Sequence, residues 1–241
     1  MRLDKLLANA GYGSRAEVKK ILKHGAVHVN GTQVKDPKTQ VDPDQDSIQV
    51  SGDEVEYKEY VYIMLNKPKN VLSATEDRVH KTVIDLVSAE YGHYPLFPIG
   101  RLDLDTEGLI LLTNDGQYSH ELMSPKKHVG KLYRAEIRGS VTEEDVRAFE
   151  QGVTLKDGYT TKPAQLEIKQ ADEWSIVHVE VSEGKYHQVK RMFEAVGKQV
   201  IELERLRIGS LWMDEKLPRG HFRELTSEER LMAKTNQKKD L

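Results

Sequence analysis

The sequence contains no cysteine, which excludes disulfide bonds and thiolate metal sites. It also has no apolar run long enough to span a membrane, and no apolar signal-peptide core follows Met1. Neither a phosphate-binding P-loop nor a dinucleotide-binding glycine fingerprint occurs in its 241 residues. Hydrophobic residues still make up 38% of the chain, enough for a sizeable core. We therefore expect a cytoplasmic protein with no membrane partner.

Charge is segregated along the chain, although the net charge is only -3. Residues 1–41 carry eight basic and three acidic side chains, a net charge of +5. Residues 42–60 carry one basic and seven acidic side chains, a net charge of -6. A basic segment followed by an acidic one predicts a small RNA-facing module and then a linker.

The basic segment predicts two short helices and a β-hairpin. Apolar residues recur at i, i+3, i+4 and i+7 from Leu3, which marks one face of a first helix. Ser14-Arg15-Ala16-Glu17 is a capping box that opens a second helix, and Gly25 is placed to end it. Asn30-Gly31 is typical of a tight hairpin turn.

This segment resembles an S4 RNA-binding domain over about residues 1–48. The matching residues are Arg2-Leu3-Asp4-Lys5, Ser14-Arg15 and Val27-His28-Val29-Asn30-Gly31. The resemblance implies contacts with RNA phosphates, which supply affinity but little sequence choice. For the charges alone, a solvated helix surface is the alternative. The residues that we expect to face RNA are Arg2, Lys5, Ser14, Arg15, Lys19, Lys23 and Asn30.

A second feature is the charged cluster at residues 97–108, which directly precedes an apolar run that predicts a buried strand. Charged groups at the start of a core strand must be paired or form a site. Asp103, Asp105 and Glu107 imitate the opening of a calcium-binding EF-hand loop, but such a loop needs a bidentate Glu at its twelfth position. This sequence has Asn114 there, so the calcium interpretation fails. Two interpretations remain: a solvated loop in which Asp103 and Arg101 are satisfied locally, and a catalytic carboxylate.

Gly100-Arg101-Leu102-Asp103, followed by Asp-Thr-x-Gly-Leu and Leu-Thr-Asn-Asp-Gly, resembles the signature of the RsuA-type pseudouridine synthases. The resemblance implies that Asp103 is the essential catalytic residue and places Arg101 beside it. Lys131-Leu132-Tyr133 is similar to the family's Lys-x-Tyr, which implies that Tyr133 stacks on the target base. Lys67-Pro68 matches a further family motif, in which Asn70 replaces the usual glycine and should adopt the same left-handed turn.

The third specific stretch, residues 183–193, begins a helix. Helical spacing puts Val189, Met192 and Phe193 on the apolar face, Lys190 at its edge and Arg191 on the far side. A cation that reaches an interior carboxylate should therefore be Lys190. The resemblance agrees, since the family has a basic residue here to pair with the catalytic Asp. The residues expected to bind the substrate are Lys67, Arg101, His187, Gln188 and Leu206.

The resemblance implies an α+β fold. An S4-like αα-β-hairpin domain (1–48) and an acidic linker (49–59) are expected to precede a catalytic domain (60–230). That domain should contain a mixed, mostly antiparallel sheet flanked by helices. Residues 231–241 are predicted to be a polar tail.

The implied reaction is the isomerisation of uridine to pseudouridine, which needs no cofactor and no metal. Gln117-Tyr118-Ser119-His120 and Ser124-Pro125-x-x-His128 resemble the enzyme for small-subunit (16S) ribosomal RNA. We expect a monomer that acts on this RNA within a small-subunit assembly intermediate. The alternatives are a large-subunit (23S) synthase and a non-catalytic ribosome-assembly factor. The neighbouring Asp103 and Asp105 also make a glycosidase conceivable, although an RNA-facing domain argues against a sugar hydrolase.

Overall fold

The computed structural model describes residues 1–124 and 127–236, and the chain divides into two compact units. The first unit contains Met1–Val61 and Ser88–Pro95, and the second contains Tyr62–Val87 and the residues from Leu96 onward. Parts of two predicted features lie outside the described residues: residues 125–126 of the Ser124-Pro125-x-x-His128 motif and the last five residues of the tail.

The first unit has the predicted helix–helix–hairpin order. Its elements are α1 (Leu3–Asn9), α2 (Arg15–Lys23), β1 (Val27–Val29), β2 (Thr32–Gln33), β3 (Ile48–Val50) and β4 (Asp53–Glu54). The four strands form an antiparallel sheet in the order β2-β1-β3-β4. Ser14 caps α2 by accepting a hydrogen bond from the Glu17 N–H, while the Glu17 carboxylate accepts one from the Ser14 N–H. The hairpin turn has positive φ at Asn30 and Gly31, as the sequence predicted.

The acidic linker predicted over 49–59 begins too early. Strand β3 runs to Val50, whose side chain is buried in the core of the first unit, and β4 pairs with it through Asp53 and Glu54. Val55 and Tyr57 also pack against this core. The linker was predicted from the many acidic residues of this segment, and the few apolar residues among them were overlooked. The prediction therefore missed β4, the last strand of the sheet.

The second unit is built on a mixed sheet. Its elements are β5 (Tyr62–Lys67), the first part of α3 (Val83–Tyr91), β6 (Phe97–Ile99), β7 (Glu107–Thr113), α4 (Gly116–Met123), β8 (Lys131–Arg138), α5 (Glu143–Gln151), β9 (Gln165–Gln170), β10 (Trp174–Val181), α6 (Gln188–Ala195), β11 (Gln199–Ile208), β12 (Leu211–Trp212), β13 (Phe222–Glu224) and α7 (Ser227–Lys234). Within the described residues the sheet has nine strands, with the main order β13-β5-β7-β11-β8-β10-β9. Among these pairs, β7 with β11 is parallel and the others are antiparallel. The predicted α+β class and mostly antiparallel sheet are confirmed.

The polar tail predicted from residue 231 is partly wrong. Helix α7 continues to Lys234, and Ala233 is fully buried against the core of the second unit. Thr226 and Glu229 form a capping box that starts this helix, with the Glu229 N–H donating to Thr226 Oγ1 over 3.2 Å. The high density of charged residues in this segment concealed the helix signal in the sequence.

Strands β7 and β11 approach each other closely at Gly108. This residue has φ +96°, and a Cβ atom there would overlap the Arg205 carbonyl oxygen. Gly108 is paired with Arg205 in the parallel ladder, one residue after the charged loop enters β7. Only glycine meets both demands, the backbone conformation and the close approach.

We predict that Gly108→Ala lowers the free energy of unfolding by about 3 kcal/mol, because left-handed strain and steric overlap add. Urea denaturation measures the change. Gly116→Ala is the matched control, because Gly116 lies in the first turn of α4 with open space around it. The control should be neutral or stabilising by up to about 1 kcal/mol. Equal effects of the two substitutions would contradict the role given to Gly108.

Candidate active site

Asp103 lies on the loop between β6 and β7, and backbone hydrogen bonds fix this loop on both sides. Ser73 Oγ donates to the Leu102 carbonyl over 2.9 Å and accepts from the Leu102 N–H over 3.0 Å. The Asn70 N–H donates to the Leu104 carbonyl over 2.8 Å. Asn70 has φ 62°, the left-handed turn that the sequence predicted in place of glycine. The loop therefore holds the backbone of Asp103 in one position.

Beneath this loop lies Lys67, whose side chain is fully buried. Its Nζ donates to the carbonyl oxygens of Thr106 (2.8 Å), Asp103 (3.0 Å), Pro68 (3.1 Å) and Leu104 (3.4 Å). Burial lowers the pKa of Lys67 to about 8, although nearby carboxylates partly counteract it. Lys67 was expected to bind the substrate, and that expectation is wrong: its ammonium group is enclosed by the loop that it positions.

Lys190 brings a positive charge from α6 to two carboxylates of the loop. Its Nζ lies 2.6 Å from Asp105 Oδ1 and 3.4 Å from Asp103 Oδ2. Arg191 points elsewhere and pairs with Asp157, in line with helical spacing. Burial alone would raise the pKa of Asp105, but the hydrogen bond and charge of Lys190 outweigh it, so this pKa lies below its usual value. Lys190 was expected to pair with Asp103 alone, whereas it bridges both carboxylates and is closer to Asp105.

His187 lies on the other side of Asp103, with Nε2 3.5 Å from Asp103 Oδ1. It precedes α6 in the left-handed conformation, with φ 48°. Its ring stacks on that of Tyr186, with centroids 3.9 Å apart, and Tyr186 is itself exposed. His187 and Tyr186 thus form an aromatic pair at the edge of the carboxylate cluster.

Gln188 was also expected to bind the substrate, but its amide group is used within the protein. It is buried, its Oε1 accepts from the Lys185 N–H over 2.8 Å, and its Nε2 donates to Glu183 over 2.7 Å. Gln188 therefore positions the loop that carries His187. Leu206 likewise does not line the large cavity onto which Asp103 opens. It is the extra residue of a β-bulge in β11, between the pairs made by Arg205 and Arg207.

Asp103 opens onto a cavity of about 500 Å³, a volume in the range of small-molecule sites. Side chains from the segment between β5 and α3, the β6–β7 loop, the end of α4, the sheet and the segment before α6 line it: Leu72, Ser73, Arg101, Leu102, Asp103, Leu104, Met123, Lys131, Tyr133, Lys185, Tyr186, His187 and Arg205. Tyr133 is only 9% exposed and lies on β8 directly opposite Arg205 of β11. The structure thus brings together Arg101, Asp103, Tyr133 and His187. Lys190 and Gln188 line a smaller adjoining cavity of about 70 Å³.

The residues expected to face RNA in the first unit are all exposed, but they are of two kinds. Lys5, Arg15, Lys19 and Lys23 present cationic side chains to solvent. The other three have structural contacts. Arg2 makes an ion pair of 2.7 Å with the buried Asp4, Ser14 caps α2, and Asn30 donates to Asp46 over 2.8 Å.

Five polar residues of the large cavity were not predicted from the sequence. Ser73, Lys185, Tyr186 and Arg205 were not singled out, and Lys131 was quoted as part of a motif but given no role. Arg205 lies in a strand in which charged and apolar residues alternate, so its local sequence gave no signal that it lines the cavity. Among the described residues, no cluster of three or more His, Asp or Glu side chains could hold a metal ion. In the same part of the chain, the helices are too short or too polar to cross a membrane.

We predict that Lys67→Met lowers the free energy of unfolding by about 2 kcal/mol, because several loop carbonyls lose a donor. The loss is smaller than the sum of the lost hydrogen bonds, since the variant also removes the burial penalty that lowers the pKa of Lys67. Hydrogen exchange at the amides of Thr106 and Asn70, which bond to the same loop, should accelerate at least tenfold, on the order of 1.4 kcal/mol. The matched control is Lys69→Met, which removes an exposed lysine paired with Glu202 and should leave both readouts nearly unchanged. Unchanged exchange in Lys67→Met would contradict the positioning role.

Comparison with known proteins agrees with this geometry. Residues 61–195 match the RNA pseudouridylate synthase family model, and residues 1–47 match the S4 domain. The chain is 52% identical over 230 residues to an uncharacterized RNA pseudouridine synthase, YtzG, of Bacillus subtilis (strain 168), covering 95% of this chain and 96% of that protein. It is 41% identical to ribosomal small subunit pseudouridine synthase A of Yersinia pestis (95% and 96% covered) and 40% identical to ribosomal large subunit pseudouridine synthase B of B. subtilis (95% and 93% covered).

Solved structures lead to the same family. A crystal structure of a pseudouridylate synthase, 37% identical, superposes with a TM-score of 0.68 and covers 97% of this chain and 99% of that one. A chain of an H/ACA ribonucleoprotein bound to a substrate RNA is 21% identical, with a TM-score of 0.51 over 66% of this chain and 50% of that one, and shares the fold. Family model, relatives and structure together show that the chain belongs to the RsuA-type RNA pseudouridine synthases with an N-terminal S4 domain.

Proposed function

We propose that Asp103 is the carboxylate that acts on the ribose of the target uridine, with Tyr133 and Lys190 completing the catalytic set. The observation that supports this most is the large cavity, which Asp103 shares with Tyr133. Asp103 is the one carboxylate among the described residues that line it. Asp105 lies outside this lining, and its side chain is 67% exposed.

The reaction needs the target nucleotide outside its stack, because its C1′–N1 bond is otherwise out of reach. Tyr133 offers a ring against which the base can stack, and Arg101, at the cavity wall, can hold the displaced strand. Asp103 then either attacks C1′ or removes the C2′ proton. The base detaches, turns, and bonds to C1′ through C5, while Asp103 leaves C1′ or returns the proton to C2′. The C5 proton is then released and N1 takes up a proton.

Lys190 and His187 orient Asp103 for this step. The ammonium group of Lys190 lies between two carboxylates and offsets their mutual repulsion. His187 reaches the other carboxylate oxygen of Asp103 from the opposite side. Both come from the start of α6, so the position of this helix determines how the reacting carboxylate is held.

The proposed substrate is a uridine of small-subunit (16S) ribosomal RNA, presented in an assembly intermediate to a monomeric enzyme. Overall identity does not favour one subunit, since relatives named for the small and the large subunit are 41% and 40% identical. The small-subunit motif supports this choice, because Gln117, His120 and His128 are exposed around α4. Tyr118 of the same motif is buried and donates to the Arg230 carbonyl, so its contribution is structural. Large-subunit (23S) RNA is the second candidate, favoured by the relative named for that subunit.

The substrate is tested by tritium release from C5-labelled uridine. Small-subunit and large-subunit transcripts are compared, each as naked RNA and in assembly intermediates. We expect release from small-subunit RNA only, at one mapped position. Release confined to large-subunit RNA would select the second candidate. Tight binding without release on any of these RNAs would point to the non-catalytic assembly factor.

Asp103→Asn should lower the single-turnover rate by about 10³-fold or more, because neither attack on carbon nor proton removal is available to an amide. RNA affinity should stay within about threefold, since Asp103 is an anion and contributes little to phosphate binding. Asp105→Asn is the matched control on the same loop and should retain at least about a tenth of the rate. Equal losses in the two variants would show that the pair, and not Asp103 alone, carries the reaction.

A further inference from the structure

Two buried cations, Lys131 and Arg205, flank Tyr133 in the large cavity. Lys131 is 8% exposed and lies two residues before Tyr133 on β8, so both side chains project from the same face of the sheet. Arg205 is 3% exposed and lies opposite Tyr133 on β11. Both cations line the cavity into which Asp103 opens.

Neither cation has a carboxylate partner in the part of the chain that the structure describes. Lys131 Nζ donates to the Val129 carbonyl over 3.1 Å, and Arg205 Nε donates to the Leu109 carbonyl over 2.7 Å. Nη2 of Arg205 is buried and has no hydrogen-bond partner among the described residues. Burial and the adjacent charge of Arg205 lower the pKa of Lys131 to about 8.

Two other cations of the second unit have carboxylate partners, whereas the fully buried Lys67 is surrounded by four carbonyl oxygens. Arg207 lies two residues further along β11 with the same 3% exposure, and it pairs with Glu180 over 2.8 Å. Lys198 pairs with Asp145 over 2.8 Å. A buried charge without a counter-charge is unfavourable unless a ligand supplies one. The lack of a partner at Lys131 and Arg205 therefore indicates that the cavity receives a group with negative charge or strong acceptors.

RNA could bring such a group as a phosphate or as a base oxygen, and the geometry favours the base. A phosphodiester group is joined to the RNA chain on both sides. It therefore binds more readily at a protein surface than beside the ring of Tyr133, which is only 9% exposed. A flipped-out base is a branch with a free end and can enter the cavity against Tyr133. Uracil carries two carbonyl oxygens, and Lys131 and Arg205 have only donors to offer them.

We propose that Lys131 and Arg205 donate hydrogen bonds to the carbonyl oxygens of the target uracil and stabilise the negative charge of the detached base. This inference rests on the proposed function. When the C1′–N1 bond breaks, its electron pair remains with the ring and spreads from N1 to the carbonyl oxygens. Asp103 meanwhile bonds to C1′ or accepts the C2′ proton. When C5 bonds to C1′, the charge leaves the ring, because Asp103 departs from C1′ as a carboxylate or returns its proton to C2′. The C5 proton is then lost and N1 takes up a proton, so the two cations act on a charge that exists only during the reaction.

The test compares four variants by single-turnover tritium release and by RNA affinity over a range of salt concentrations. Lys131→Met removes the charge at similar volume, and Lys131→Arg retains it. Arg205→Lys retains the charge but loses the second donor of the guanidinium group. Arg207→Lys is the matched control, since Arg207 is equally buried on the same strand but lies outside the large cavity.

Lys131→Met and Arg205→Lys should slow single turnover by about 10²–10³-fold, the loss typical for one charge-stabilising donor. RNA affinity should stay within about threefold. Lys131→Arg should recover most of the rate, and Arg207→Lys should stay within about threefold of wild type. Lys131→Met should be at least as stable as wild type, because it removes an unpaired buried charge. Its slow turnover then cannot be attributed to misfolding.

Three outcomes would overturn the proposal. One is a normal single-turnover rate in Lys131→Met. Another is weaker RNA binding by Lys131→Met with a shallower dependence on salt, by about 0.7 in the slope of log affinity against log salt, because this identifies a phosphate contact. The third is an equal loss of rate in Arg205→Lys and Arg207→Lys. Wild-type turnover on the same RNA separates these outcomes from failure of the proposed function, which would abolish release in every sample.

Discussion

The ammonium group of Lys67 is the contact on which the rest of the site depends. It lies under the loop between β6 and β7 and donates to the carbonyl oxygens of Asp103 and Thr106 in that loop and of Pro68 in the segment after β5. The carbonyl groups of this loop that point inward lie away from water, and the ammonium group supplies the hydrogen-bond donor that they need. Because its backbone is held from below, the side chain of Asp103 can project into the cavity. The interaction is strong because it is buried, and burial is also what lowers the pKa of this lysine.

The cations around the cavity differ in what they bind. Lys67 is enclosed by carbonyl oxygens, and Lys190 bridges two carboxylates. Lys131 and Arg205 have one carbonyl contact each and no carboxylate partner among the described residues. The first two cations therefore stabilise the protein's own loop and the carboxylates of Asp103 and Asp105. The other two have donors that none of the described residues uses, at a place where a base can enter. Two cations thus hold the site together, and two can bind a substrate.

The sequence predicted the parts of the site that local patterns determine. Helical spacing distinguished Lys190 from Arg191, and the turn preference of asparagine predicted the conformation of Asn70. It could not show that Lys67 is enclosed by the loop, because its partner Thr106 lies 39 residues away in the chain. Arg205 was missed for the same reason: only the alignment of β11 beside β8 places it opposite Tyr133. Side-chain roles that depend on pairing between distant strands are not visible in local sequence.

The position of β11 in the sheet has a consequence for biosynthesis. This strand lies between β7 and β8, although both precede it in the chain. Until β11 leaves the ribosome, β7 and β8 each lack a central neighbour, and their unpaired edges are exposed to association with other chains. Premature termination before residue 199 would leave an apolar sheet without its middle strand. A nascent chain of this topology should therefore depend on chaperones, and its slow step should be the insertion of one strand rather than the collapse of the core.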